Sequence, residues 1–239
     1  MKFSEVHKIT HTHITENRYV DTFKKLSDGV NYVYAAHVIG DICEFGTMTG
    51  RSAVAIATAV RMAASRFDNT PRGDKKVWFF DSFEGLPPST LEPDTKSPHV
   101  QTGTWGAGTC SGLDEFQFTK KIKHFLNDNQ FNVHKGWFKD TISNLQSTQI
   151  AMLHIDGDLY ESAIDVLMPL FNNANITEGG IIFFDDFNCN RASNKFGERR
   201  AWTELCKKYK VDYEDLGAYG LNGMSKRFII HDYKGMVKT

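Results

Sequence analysis

The stretch LHIDGDLYES (153–162) decides how this chain is read. An apolar run, IAMLHI (150–155), stops at two aspartates separated by one glycine, Asp156 and Asp158. The pattern returns in GGIIFFDDF (179–187), where a second apolar run stops at Asp185 and Asp186. Continuous apolar runs, rather than alternating ones, mark strands covered on both faces, as in parallel sheets. Ligands of such open sheets bind outside the carboxyl ends of the strands. Two strand tips with paired carboxylates therefore bring four acids to one ligand-binding edge.

Working outward, DICEFG (41–46), KVWFFDSF (76–83) and QFNVHKGWF (130–138) read as further strands. Helical stretches alternate with them: RSAVAIATAVRMAASRF (51–67), DEFQFTKKIKHFLND (114–128) and YESAIDVLMPLFNNA (160–174). That alternation predicts right-handed βαβ crossovers. The tail, 212–233, holds strand-like segments around a glycine-bearing turn with no helix between, which predicts a closing antiparallel pair. The expected architecture is α/β: one Rossmann-like domain over 41–239, with a mainly parallel seven-stranded sheet, helices on both faces and that pair at its C-terminal end. Before it, Tyr19, Phe23, Leu26, Val30 and Val33 recur at helical spacing and predict a helical segment or lid within 1–40. Segment 85–112 is rich in Gly, Pro, Ser and Thr and longer than ordinary connections, which predicts a mobile loop on the substrate side.

Composition narrows the partners. Lys+Arg is 28 and Asp+Glu is 29, a formal net charge of −1, so no broad field attracts nucleic acid or an anionic membrane. No apolar run nears the roughly 18–20 residues of a membrane span, and the N-terminus lacks the apolar core of a signal peptide. Cys43, Cys110, Cys189 and Cys206 form no C-x-x-C and no zinc-finger spacing. Free thiols in a reducing compartment are the expectation, with the cytoplasm as the location. His7, His11 and His13 carry a His-x-His pair in a polar terminus, where a frayed end is favoured over a metal site.

Four gathered carboxylates repel one another, so they need a cation or a raised pKa on one member. Oxygen ligands of this kind favour Mg²⁺, with Mn²⁺ or Ca²⁺ as other divalent candidates. Neighbouring side chains on a strand point oppositely, so Asp185 and Asp186 converge only if the strand breaks there. Asp158 has a competing structural role as the N-cap of the helix that follows it.

The first strand opens into CEFGTMTGRSA (43–53). Gly46 and Gly50 flank a turn that lets backbone and a helix N-terminus approach a ligand. This is neither G-x-G-x-x-G nor a P-loop. Glu44 suits a ligand with a cationic end, such as the amino group of a methionine moiety. Asp81 ends the second strand, where an acid can accept from both ribose hydroxyls. S-adenosylmethionine fits these features better than NAD.

EFGTMTGRSA, FFDSFEGLP, GWFKDTI, LHIDGDLYES and GGIIFFDDF, in this order, resemble the macrocin O-methyltransferase family. These are metal-dependent class I S-adenosylmethionine methyltransferases of antibiotic sugars and related small molecules. The resemblance covers 41–187 and implies that Asp156, Asp185 and Asp186 hold the divalent metal. It implies Asp158 as general base, acting on a small hydroxylated acceptor. It also implies that Glu44, Phe45, Gly46, Thr47, Gly50, Ser52, Asp81, Ser82 and Asp156 surround the donor, with Trp137 near the adenine.

Several residues stay open. His154 lies on the same side of its strand as Asp156, as a core histidine, an alternative base or a partner of one. Trp105 and Tyr160 can stack or pack. Arg191, Arg199 and Arg200 can meet an acidic substrate or form a solvated face. Two other functions compete with methyl transfer: a metal-dependent phosphoester hydrolase and a non-catalytic adenosine-nucleoside binding module. The hydrolase lacks a Lys or Arg at a strand end, and the module has no use for the second acidic pair. A homo-oligomer is neither required nor excluded.

Overall fold

The computed structural model describes residues 19–67 and 75–237. The histidines at 7, 11 and 13 lie outside the described residues. The chain runs as helix α1 (Val20–Ala35), strand β1 (Asp41–Phe45), helix α2 (Arg51–Arg66) and strand β2 (Val77–Asp81). Helix α3 (Glu115–Ile122), strand β3 (Phe131–Lys135), strand β4 (Ile150–Ile155) and helix α4 (Tyr160–Asn172) follow. Strand β5 (Ile176–Phe184), helix α5 (Gly197–Tyr209), strand β6 (Asp212–Tyr219) and strand β7 (Ser225–Asp232) close the domain.

The seven strands form one sheet in the order β3-β2-β1-β4-β5-β7-β6. β1 pairs in parallel with β2 and β4, and β4 with β5, while β7 runs antiparallel to both β5 and β6. The order reverses between β1 and β4, so the crevice for a ligand opens at their carboxyl ends.

Both faces are covered, which is why the strands read as continuous apolar runs. Every residue of β4 is buried. On one face, Leu26, Val30 and Val33 of α1 and Ile56, Ala57 and Val60 of α2 pack with Met152 and Phe183 of the sheet. These spacings of three and four residues are one helical face each. On the other face, Val166, Leu167, Leu170 and Phe171 of α4 and Trp202 and Leu205 of α5 meet Leu153, Ile182 and Phe228. No helix among the described residues is long and apolar enough to cross a membrane.

The insert folds on the rim of the crevice. It contains two one-turn helices, Glu92–Thr95 and Pro98–Gln101. Trp105 is buried there, stacked on His99 at 4.4 Å between ring centroids. Asp94, also buried, accepts the backbone N–H groups of Tyr160 (2.7 Å) and Glu161 (2.9 Å). A side chain of the insert therefore caps α4 from 66 residues away in sequence.

Candidate active site

The carboxyl ends of β1, β2 and β4 and the bend after β5 surround a cavity of about 690 Å³. Its size lies within the usual range of small-molecule sites, roughly 300–1,000 Å³. Tyr19, Thr22 and Phe23 at the start of α1 wall one side, and Leu86 to Pro88 of the insert another.

The turn after β1 is pinned by two neighbours. Gly46 donates its N–H to the Phe80 carbonyl, and its φ of +91° is left-handed. A Cβ at this position would overlap the carbonyl oxygen of Asp156, so only glycine lets the β1 turn lie against the β4 tip. Asp81 fixes the rest of the turn. Its Oδ2 accepts from Thr47 N (2.6 Å), Thr47 Oγ1 (2.9 Å) and Met48 N (3.0 Å), and its Oδ1 from Phe83 N (2.7 Å). A carboxylate offers about four acceptor positions. Asp81 lines the cavity, and its Oδ1, which accepts only one of these four bonds, keeps an acceptor position for a ribose hydroxyl.

Of the residues implied for the donor, Gly46, Thr47, Ser52, Asp81, Ser82, Trp137 and Asp156 line the cavity. Glu44, Phe45 and Gly50 stand behind the wall instead. Phe45 is core, stacked on Phe80 at 4.4 Å. Gly50 is the N-cap of α2. Glu44 is fully buried and pairs through Oε1 with Nδ1 of His154 at 2.9 Å. His154 lines the cavity, and among the described residues neither its Nε2 nor Glu44 Oε2 has a hydrogen-bond partner.

The four aspartates do come together. Oxygens of Asp156, Asp185 and Asp186 lie within 4.8 Å of one another. β5 ends at Phe184 and the chain bends at Asp185 and Asp186, which lets adjacent side chains converge. The bend is held by Ser225 Oγ on Asp185 Oδ1 (3.1 Å) and by Asp185 N on the Ile155 carbonyl (3.0 Å). Burial and then the charges of Asp185 and Asp186 push the Asp156 carboxyl well above the usual range. Burial and the Asp186 charge do the same to Asp158, which shares a hydrogen bond with Asp186. Such a set is stable with charge only when a cation compensates it, and all-oxygen donors match a hard divalent ion.

Asp158 does not cap α4. The N-cap residue is Leu159, without a side-chain cap, because Asp94 supplies the acceptor. Asp158 instead sits on the cavity wall in a left-handed conformation, φ +59°. Trp105 and Tyr160 lie off the wall, and the Tyr160 hydroxyl donates to Glu204 at 2.7 Å. Arg199 donates to Asn188 and the Phe187 carbonyl, and Arg200 bridges Glu92 and Glu204.

Two groups at the site escaped sequence reasoning. Glu198, at the start of α5, is fully buried and contacts Asp186. Cys189 and Cys110 flank the acids: the Cys189 thiol donates to Asp186 Oδ1 at 3.0 Å, and Cys110 lines the cavity. GERRAW carries no motif, so its only signal was an acid in the first turn of an amphipathic helix.

Comparison with known proteins places this geometry. The family model of the macrocin O-methyltransferases (TylF) matches residues 4–213. An 8-demethyl-8-(2,3-dimethoxy-alpha-L-rhamnosyl)-tetracenomycin-C 4'-O-methyltransferase of Streptomyces olivaceus is 29% identical over 160 residues, 66% of this chain and 57% of that protein. A demethyldecarbamoylnovobiocin O-methyltransferase of Streptomyces niveus is 28% identical over 159 residues, 66% of this chain and 56% of that protein. The chain thus spans a little over half the length of the curated relatives it matches. Among solved structures, the O-methyltransferase NovP superposes with a TM-score of 0.68 at 23% identity, covering 88% of this chain and 80% of that one. An O-methyltransferase of Bacillus cereus in complex with SAH superposes at 0.53, with 14% identity and coverage of 97% and 92%. The sheet is that of the class I O-methyltransferases, and the chain belongs to the macrocin O-methyltransferase family.

Proposed function

We propose that this chain is an S-adenosylmethionine- and divalent-cation-dependent O-methyltransferase acting on a hydroxyl of a small molecule, a sugar or sugar-bearing natural product. The observation that carries the reading is the convergence of Asp156, Asp185 and Asp186 in the cavity that also holds the Gly46 turn. The fit to both groups rests on chemistry: three half-buried converging carboxylates suit a hard cation, and a turn that only glycine can form suits a ligand pressed against backbone. The two Streptomyces relatives bear the names of O-methyltransferases, one of them on a rhamnosyl compound.

Asp156, Asp185 and Asp186 would hold the cation. The cation supplies Lewis acidity at the acceptor hydroxyl, and S-adenosylmethionine supplies the electrophilic methyl group. The chain does the rest. Thr47, Ser52 and Ser82 offer polar contacts along the donor wall, and Trp137 presents an aromatic face. Asp158, on the same wall but outside the trio, takes the proton of the acceptor hydroxyl at its carboxylate. The insert and the start of α1 wall the cavity, and a site shielded from water favours a reaction in which the charges of nucleophile and sulfonium disappear. Holding donor and acceptor in line lowers the barrier by up to about 7–11 kcal/mol in ideal cases.

The test is direct. The protein is incubated with S-adenosylmethionine and a panel of rhamnosides, other glycosides and phenols, with Mg²⁺ or with EDTA. Formation of a methyl ether and S-adenosylhomocysteine, lost in EDTA and restored by Mg²⁺, supports the reading. Transfer unaffected by EDTA removes the cation from it. Failure to bind S-adenosylmethionine removes the reading altogether.

A further inference from the structure

Glu198 is the second residue of α5 and has no exposed surface. Its Oε2 accepts the backbone N–H of Asp186 at 3.0 Å. That amide belongs to the bend that presents Asp185 and Asp186. One side chain of α5 therefore holds the β5 bend. Gly197, just before it, presses the start of α5 against the Asp158 carbonyl.

Its second oxygen is the informative one. Oε1 is buried and has no hydrogen-bond partner among the described residues. A bare carboxylate oxygen next to Asp185 and Asp186 is unfavourable twice over, by lost hydration and by like charge. Holding the Asp186 amide needs only one acceptor, and a neutral amide would do it. An acid near a helix N-terminus is favourable through the helix dipole, but that does not require burial beside three other acids. The orphan acceptor has a use if a hydrogen-bond donor with positive charge behind it enters the cluster. Hydrated divalent cations are such species: Mg²⁺ keeps several of its waters when bound by proteins.

We infer that Glu198 is a positioning residue for the divalent cation, its Oε2 setting the β5 bend and its Oε1 accepting from the cation's hydration shell. This rests on the reading of Asp156, Asp185 and Asp186 as the cation site. Partners in this outer position usually change metal affinity by about 10–100-fold.

Calorimetric titration of Mg²⁺ into the natural chain and Glu198→Gln, each saturated with S-adenosylhomocysteine, tests it. The expected result is a Kd for Mg²⁺ raised about 10–100-fold in Glu198→Gln, with the affinity for S-adenosylhomocysteine unchanged within about twofold. Equal Mg²⁺ affinity in the two proteins overturns the role of Glu198 and leaves the cation site standing. No Mg²⁺ binding by the natural chain overturns the cation site, and the role of Glu198 with it. Should the variant fail to fold, amide hydrogen exchange in the natural chain decides the matter. Glu198 acting as inferred makes the Asp186 amide slow to exchange without cation, and slower again with Mg²⁺. Fast exchange there, or no change on adding Mg²⁺, overturns it.

Discussion

Gly46 lies so close to the carbonyl of Asp156 that a single methyl group on its Cα would overlap that oxygen. The contact joins the turn proposed to hold the donor to the strand tip that carries Asp156, a proposed cation ligand. Register explains it: β1 and β4 run parallel with Phe45 opposite Ile155, so the residues after them leave the sheet side by side. Gly46→Ala must either spread the two tips or distort the turn, whose φ is left-handed. Strain and overpacking of this kind cost about 2 kcal/mol or more, which lowers Tm by roughly 4–8 °C in a domain of this size. Donor affinity should fall with it. Gly103→Ala is the control: its φ is also left-handed, but nothing lies within 4 Å of an added Cβ. There the cost should be about 1 kcal/mol with donor binding intact.

Asp158→Asn tests the base. The substitution keeps shape and removes one charge from a buried cluster that includes Asp186 and Glu198. Turnover should drop at least about 100-fold, the lower end of what a positioned acid or base contributes. S-adenosylhomocysteine affinity should stay within about threefold. Without cation, Tm should rise, because a like-charge repulsion has gone. Turnover at the natural rate would remove Asp158 from the chemistry.

Asp94 links the insert to α4 by capping Tyr160 and Glu161. Asp94→Ala strands two backbone donors at the start of that helix. Loss of a cap costs about 0.5–2 kcal/mol, roughly 2–8 °C in Tm. The insert should also become sensitive to limited proteolysis between residues 85 and 112. An unchanged digestion pattern would show that other contacts, such as His99 with Asn190, hold the insert alone.

Asp165 lines the cavity on α4, and burial, then the charge of Glu161, raise its carboxyl to about 6. The folded value exceeds the unfolded one of about 3.9, so the folded chain binds the proton more tightly. Stability from this group is present below about pH 4 and is lost as pH rises through about 6. The group is half exposed, so the loss after screening is about 1 kcal/mol. Asp165→Asn cannot ionise. It should melt about 2–4 °C above the natural chain at pH 7.5 and level with it at pH 4, by differential scanning calorimetry. An equal difference at both pH values would contradict the assignment.

Much of this architecture was legible in the residues. Apolar runs such as IAMLHI and VWFF announce strands buried on both faces, and their carboxyl ends announce the site. The errors lie where local pattern and tertiary pairing diverge. GWF reads as a continuation of the third strand, but β3 ends at Lys135 and Trp137 is the N-cap of a one-turn helix, Phe138–Thr141. The fifth strand reads as starting at Gly179, yet it begins at Ile176. The register between β4 and β5 jumps there, so the glycines sit in a bulge rather than at a strand end. The cap weighed as a competing role for Asp158 is supplied instead by Asp94, from across the crevice, a pairing that no local period encodes. Glu198 was invisible for the same reason. The side-chain direction of Glu44 misled differently: its chemistry suits an ammonium group, but His154 on the neighbouring strand claims it.

The central claim is that Asp156, Asp185 and Asp186 gather around one divalent ion beside the donor. Anomalous diffraction from crystals grown with Mn²⁺ and S-adenosylhomocysteine measures it most directly. The account predicts one strong manganese peak per chain between the three carboxylates, with the adenosine ligand in the cavity at Gly46. A map with no peak there, or with the ligand bound elsewhere, would contradict it.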